Sequence, residues 1–502
     1  MNRKIGVILS YILMIFEVLS TLLLTPFIIK NLGQAEFGVY KLSMTITGYL
    51  LLLDLGVGNS IVRFIAKYKT TKEKIKERQF FGVAIIFYGI IGIISFILGM
   101  ILIKYFPKIF NKGLTSKEII LGQKLLFLTT VNVSITLMTS CYNNIVLAYE
   151  KYKFSRLCSI GQIIFKITVT YIILILGYKS IGIVFVTLIS LILCRSILIY
   201  YVIKKIKLIP IFNNIDKSFI KEVVLYSSLI FIQMIATQLN ASIDSILLGS
   251  LVTSSTILIG IYSIGTQIAQ YYQSIGAAFN GVLMAGIVNM VEDKERFNYI
   301  TDEMIRIGRI IFIALGLIWS CFFINGKTFI ILWAGKENVM SYYVAIILIS
   351  AYIFILTESI GTQILWALNE HKEQAYLKMV IVLLNIVLTV FLIKWNPLIG
   401  ATIGTFISLI FGDIVVMNII FKKKLKIDLF YYYKNLFKGI ILCIILTCLS
   451  GYFLNGLISN SWIEFCIKNL IMVIIYGICI LNFGMNNYEK KLILSIIKMK
   501  RR

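Results

Sequence analysis

The sequence predicts an all-α protein that crosses a membrane many times, and three observations predict it. Apolar runs of about 20 residues, long enough to span a bilayer core as a helix, recur along almost the whole 502-residue chain. The composition is 59% hydrophobic and 14% charged, with a mean hydropathy of +0.91. Lysines and arginines gather mainly in every second gap between the apolar runs. Backbone groups in hydrocarbon have no water to bond, so runs of this length must be helices. About fourteen spans are expected.

The first run, Ile5–Ile29, follows Arg3 and Lys4 and carries Glu17. It is too long for a secretory leader and no small-residue cleavage site follows, so it reads as a helix. Val39–Ile61 carries Asp54 and ends beside Arg63. Phe81–Ile103 holds Gly89, Gly92 and Gly99, which read as ordinary packing positions. Leu125–Leu147 is polar along one face, because Thr129, Asn132, Thr136, Thr139 and Asn143 step by three and four. Leu157–Leu176 carries Lys166 and Ile181–Ile203 carries Arg195; the very short gap between them makes a tight pair. Val223–Leu251 repeats the polar stripe with Gln233, Thr237, Asn240 and Asp244. Ile257–Met290 does so with Ser263, Thr266, Gln270, Gln273 and Asn280, and its Gly276, Gly281 and Gly286 mark a helix able to bend. Ile307–Ile324, Tyr342–Leu368 with Glu358, Ala375–Ile393 and Leu398–Phe421 with Asp413 follow. After the polybasic Lys422–Lys438 segment come Phe437–Leu457 and Phe465–Phe483.

Placing the N-terminus in the cytoplasm gives the inside segments about three times the Lys and Arg of the outside ones. Both termini are then cytoplasmic, as expected of a multi-pass protein of a bacterial cytoplasmic membrane. The net charge of +26 is thereby explained by topology and attraction to anionic lipid. No soluble domain exists to carry a nucleic-acid reading of that charge. The eight cysteines are scattered without a C-x-x-C pair, and the single histidine, His371, lies in a loop. Metal sites and histidine acid–base chemistry are therefore not expected. Gly326-Lys327-Thr328 resembles the tail of a phosphate-binding loop, but Cys321 stands where that loop needs glycine, so no nucleotide site is expected.

Ionisable residues inside spans are costly unless they face a polar cavity or a partner. Glu17, Asp54, Lys166, Arg195, Asp244, Glu358 and Asp413 are all so placed. Arg195 also suits snorkelling to the cytoplasmic edge, and the neutral stripes also suit hydrogen bonding between helices. Together they point to an internal hydrophilic cavity. The halves resemble each other: Leu32-Gly33 before Phe37-Gly38-Val39-Tyr40, and Leu248-Gly249 before Ile259-Gly260-Ile261-Tyr262. Six spans separate the copies, so both halves share one orientation. That predicts two six-helix lobes, 1–208 and 218–421, around a central cavity, with 422–502 adding two C-terminal helices and a basic tail.

The segment Asn31-Leu-Gly-Gln-Ala-Glu-Phe-Gly-Val-Tyr40 and the segment Leu53-Asp-Leu-Gly-Val-Gly-Asn-Ser-Ile-Val-Arg-Phe-Ile-Ala-Lys-Tyr68 resemble the N-terminal signature of polysaccharide flippases. These are the Wzx-type O-antigen and capsule transporters of the multidrug/oligosaccharidyl-lipid/polysaccharide exporter superfamily. The resemblance implies a V-shaped two-lobe fold. It also implies transfer of undecaprenyl-diphosphate-linked oligosaccharide between leaflets, in company with other polysaccharide-assembly proteins.

Under that implication Arg63, Lys166 and Arg195 are candidate diphosphate partners, since ammonium and guanidinium groups match phosphate oxygens. Glu17, Asp54, Gln233, Asn240, Asp244, Gln270 and Glu358 are candidates for the cavity wall or for coupling to an H+ or Na+ gradient. No bound cofactor is expected. A drug–cation antiporter and a lipid II flippase of the same superfamily stay open, as does a membrane polymerase or glycosyltransferase. Against the enzymes, the outside loop Lys104–Lys124 holds a single acid, Glu118.

Overall fold

The structure is a computed structural model. It describes residues 2–213, 217–292, 299–368, 370, 372–455 and 461–491, with side chains for 9–10, 12–213, 234–278, 299–368, 370, 373–454 and 461–491. The described secondary structure is entirely helical. Among the described residues twelve helices are long and apolar enough to cross a membrane. Lys217–Leu251 and Thr256–Glu292, 35 and 37 residues long, bring the number to the predicted fourteen or so. The chain divides into two compact units, Met1–Gly260 and Ile261–Arg502.

Unit 1 opens with α1 (Asn2–Leu32), α2 (Gln34–Leu50), α3 (Val57–Thr70), α4 (Lys74–Phe110) and α5 (Ser116–Ala148). It continues with α6 (Tyr152–Ile175), α7 (Lys179–Tyr200), α8 (Lys217–Leu251) and the start of α9 (Thr256–Glu292). α5 is the hub, packed on α2, α3, α4 and α7, while α1 lies on α6 and α6 on α7. Thr115 and Glu118 close a capping box that starts α5.

The second apolar run does not form one helix. A 3-10 turn, Leu51–Asp54, ends α2, and Leu55 and Gly56 adopt left-handed conformations with φ of 54° and 71°. Asp54 makes the break stable. It accepts a hydrogen bond from the Tyr88 hydroxyl (2.6 Å) and others from the backbone N–H groups of Gly56 and Gly58. A carboxylate serving the first turn of α3 in this way replaces the bonds that a continuous helix would have made.

The two copies of the glycine motif meet within unit 1. A Cβ on Gly38 would lie 1.8 Å from the Thr256 carbonyl oxygen, and one on Gly260 would lie 3.3 Å from that of Gln34. Gly113 is pressed on the Gly249 carbonyl in the same way, at 2.0 Å. Hydrogen bonds fix the turn between α8 and α9 there: Ser255 N–H donates to the Gly113 carbonyl (2.8 Å), and the Thr256 hydroxyl donates to Glu118 (2.8 Å).

Unit 2 holds the rest of α9 and then α10 (Ile300–Ala334), α11 (Ser341–Ala367), α12 (Lys372–Leu392) and α13 (Pro397–Leu409). A π-helical turn, Ile410–Val416, joins α13 to α14 (Met417–Leu425). Short α15 (Leu429–Phe437) leads into α16 (Ile440–Asn455) and α17 (Trp462–Cys479). α10 packs on α11, α15, α16 and α17; α12 pairs with α13. Part of the polar content here is interhelical glue, as Thr405 and Thr389 both donate to the Asn385 side-chain oxygen. All eight cysteines are free thiols; Cys466 is exposed and the others are buried or half-buried.

Candidate functional site

α1, α2, α6 and α7 line a partly open chamber of about 360 Å³ in unit 1. Two residues predicted from sequence line it, Glu17 from α1 and Lys166 from α6. Gln162, Lys166 and Thr170 stand four apart on α6, which puts them on one face, and all three reach the chamber. Lys41 of α2 is the second cation, with its ammonium group 5.3 Å from the Phe37 ring centre and near enough to Lys166 for the charges to repel. Ser20, Thr21, Thr25 and Thr187 add hydroxyls. Each of these four donates to a carbonyl of its own helix, which leaves the oxygen as an acceptor. Glu36, in the first turn of α2, holds the wall together by accepting from Ser180 at the start of α7 and pairing with Lys179 (3.7 Å).

The other predicted residues of unit 1 are elsewhere. Arg63 is exposed on α3 and Arg195 half-buried on α7; neither lines the chamber. Arg195 sits beside Cys194 and Cys141, and the Cys194 thiol points at the Cys158 carbonyl (4.0 Å). Cys158 precedes Lys166 by two turns of α6, about 12 Å along the axis. The three candidate phosphate partners are therefore not gathered at one point. Asp54 is occupied with the turn into α3. Asp244 is 2% exposed and lies beside Tyr49, with Asn240 half-buried a turn before it on α8. Gln233 lies outside the residues whose side chains are described. At the end of α5, burial and the hydrogen bond to Glu77 (2.6 Å) push the Tyr149 phenol well above its ordinary value.

In unit 2, Gln270 is exposed on α9 while Glu358 is 3% exposed on α11. Both Glu358 oxygens are used: Tyr433 of α15 donates to one and Asn418 of α14 to the other (2.8 Å). Asp413, in the π-turn, pairs with Lys378 of α12 at 2.6 Å. One polar junction was not anticipated. Arg309 of α10 is 4% exposed; it binds Glu489 (2.6 Å) and the carbonyls of Asn435 (2.7 Å), Lys438 (3.1 Å) and Gly484. A cavity of about 470 Å³ opens beside it, lined by Asp302, Lys438 and Asn486 among others. Arg309 is fully engaged in holding the C-terminal hairpin and is structural.

Lys41, Gln162 and Thr170, with the hydroxyls of Ser20, Thr21, Thr25 and Thr187, are chamber residues that sequence reasoning missed. The spacing of four from Gln162 to Thr170 was a usable signal. Lys41 gave none, because a lysine near the start of a span looks interfacial.

Residues 5–285 match the family model described as polysaccharide biosynthesis protein. No curated protein sequence matches the chain. Among solved structures, the chain is similar to the lipid II flippase MurJ in its inward closed conformation. That match has 16% identity and a TM-score of 0.71, covering 95% of this chain and 98% of that one. It is also similar to a multidrug resistance MATE family transporter of the MOP superfamily. The inward-facing form matches at 15% identity and TM-score 0.60, covering 82% of this chain and 95% of that one. The outward-facing form matches at 16% and 0.55, covering 85% and 97%. At such identities the likeness establishes the fold alone, shared with MurJ and with the MATE transporter. The family match spans more than half of the sequence, and the chain belongs to the polysaccharide biosynthesis protein family.

Proposed function

We propose that the protein is a flippase, not an enzyme. It would move oligosaccharide linked to undecaprenyl diphosphate from the cytoplasmic to the outer leaflet of a bacterial cytoplasmic membrane, for surface polysaccharide assembly. The chamber of unit 1 carries this reading. Ammonium groups within a bilayer cost several kcal/mol unless polar surroundings or a ligand offset them. This chain places two around one cavity, with hydroxyls and an amide. A diphosphate and its sugars meet the same penalty in hydrocarbon, and such a lining lowers it. Family membership supports a glycan cargo.

In this reading Arg63 and Arg195 are further phosphate contacts away from the chamber. Asp54, Gln233, Asn240, Asp244, Gln270 and Glu358 serve the polar interior or ion coupling.

One observation favours a second reading, lipid II as cargo: the fold is shared with a lipid II flippase along 95% of the chain. Deleting the gene separates the two. Loss of surface polysaccharide, with lipid-linked repeat units left on the cytoplasmic leaflet and drug sensitivity unchanged, is the expected result. Arrested peptidoglycan synthesis would favour lipid II. Normal surface glycan with lost drug resistance would move the protein to the drug antiporters.

A further inference from the structure

We infer that unit 2 carries a phospholipid site: the cavity beside Arg309 takes the headgroup of phosphatidylethanolamine from the cytoplasmic leaflet. Lys438 meets the phosphate and Asp302 the ammonium. The site shares no residue with the unit 1 chamber and is independent of the cargo.

Position gives the first reason. The cavity lies where three apolar helices end, on the side that the charge pattern places in the cytoplasm. Asp302 and Ile305 stand in the first two turns of α10, Lys438 just precedes α16, and Phe483 and Met485 follow α17. Phe483 lines the cavity yet is 61% exposed, and Phe430 of adjoining α15 is 78% exposed. Aromatic rings at the end of a span sit among lipid headgroups.

Charge gives the second. Arg309 offers the cavity no free charge, because Glu489 meets its guanidinium with both oxygens (2.6 and 3.2 Å). That leaves Asp302 and Lys438 as the charged groups on the wall. Among the described residues no carboxylate pairs with Lys438. The Tyr431 hydroxyl donates to one Asp302 oxygen (3.1 Å) and leaves the other to accept. One cation and one anion on the wall of one cavity match a zwitterion, a phosphate joined to a primary ammonium by a short bridge. Asn486 and Asn487 line the same wall, and amide N–H groups suit the remaining phosphate oxygens. Volume is the third. About 470 Å³ holds roughly fifteen waters, which leaves room for a phosphoethanolamine group.

The test uses the full-length protein in detergent and titrates dioleoyl phosphatidylethanolamine, read by native mass spectrometry. Phosphatidylcholine, phosphatidylglycerol and glycerophosphoethanolamine are the comparison ligands. Phosphatidylcholine keeps both charges but has no N–H to donate; phosphatidylglycerol keeps the phosphate and lacks the cation. Each should bind about tenfold more weakly than phosphatidylethanolamine, the scale of one charge-assisted contact. Lys438→Gln should weaken phosphatidylethanolamine about tenfold. Asp302→Asn should weaken it to a similar degree while tightening phosphatidylglycerol, since it removes a carboxylate that repels that lipid's phosphate. A merely structural Asp302 would weaken both lipids alike. Lys438→Arg keeps the charge and should bind, and Asp302→Asn keeps an acceptor for Tyr431, so both positions can be read in folded protein.

Wild-type affinity for phosphatidylethanolamine in folded Lys438→Gln and Asp302→Asn overturns the site. Equal binding of the three lipids by the wild type also overturns it, because that marks a bulk contact with any headgroup. Glycerophosphoethanolamine binding as tightly as the lipid overturns the bilayer as the source and makes the pocket a site for a soluble phosphate ester.

Discussion

Arg309 shows how much one side chain fixes. Its guanidinium meets a carboxylate and several main-chain carbonyls at once, at the ends of α15 and α17. Removing one partner of a buried, hydrogen-bonded ion pair costs about 3–5 kcal/mol, because the other charge stays behind. Arg309→Ala should therefore lower the melting temperature in detergent by many degrees. Arg309→Lys should recover only part, since a point donor cannot serve a fork of acceptors. Equal melting of Arg309→Ala and wild type would show that the junction contributes nothing. Tyr88→Phe is a milder case. It strips one donor from Asp54 and should cost about 1–2 kcal/mol through the turn into α3, read as a smaller drop in the same melting curve. Neither junction was legible in the sequence. Arg309 and Glu489 stand 180 positions apart, and nothing local to either names the other. Asp54 was legible as a buried acid but not as the anchor of a broken helix, because the apolar run continues on both sides of it.

At the scale of elements, contact between backbones decides more than side-chain volume. Gly38 and Gly113 sit against carbonyl oxygens of the turn between α8 and α9 and of the end of α8. A methyl group there cannot be accommodated by rotating a side chain, so α2 or α4 must move away. Gly38→Ala and Gly113→Ala should each reduce folded yield and melting temperature. Gly89→Ala, with nothing within 4 Å, should change neither. If Gly89→Ala proves as harmful as Gly38→Ala, the close approach is not what those glycines provide. The helices themselves were readable because bilayer thickness sets a length that hydropathy reveals. The interruption of α2 and the π-turn between α13 and α14 were not, because both are local rearrangements inside uninterrupted apolar runs.

For the whole molecule, an even number of spans and basic segments at both ends predict that the termini share the cytoplasmic side. Reporter fusions at Lys112 and Lys336 should report the outside, and fusions at Lys74 and Lys424 the inside. The same side for Lys112 and Lys74 would break the arrangement, since α4 alone separates them. The family was legible from the Asn31–Tyr68 signature. The structure gives parts of that signature packing roles: Glu36 pins α7 to α2, Gly38 admits the α8–α9 turn, and Asp54 ends a helix. The cation-lined chamber was half legible. Hydropathy flags Lys166 as out of place, but only the meeting of α1, α2, α6 and α7 around one cavity turns Lys41 from an edge residue into its partner.

The distribution of thiols has a consequence for anyone labelling the protein. Seven of its cysteines are shielded to some degree and Cys466, five residues beyond the start of the last long helix's cap, is open. Cys466 lies at the outer end of its span in the topology above, so an impermeant maleimide added to intact cells should mark this one native position; a Cys466 that faces lipid would stay unlabelled. Cys466→Ser should silence the signal and free the scaffold for reporter cysteines placed at will.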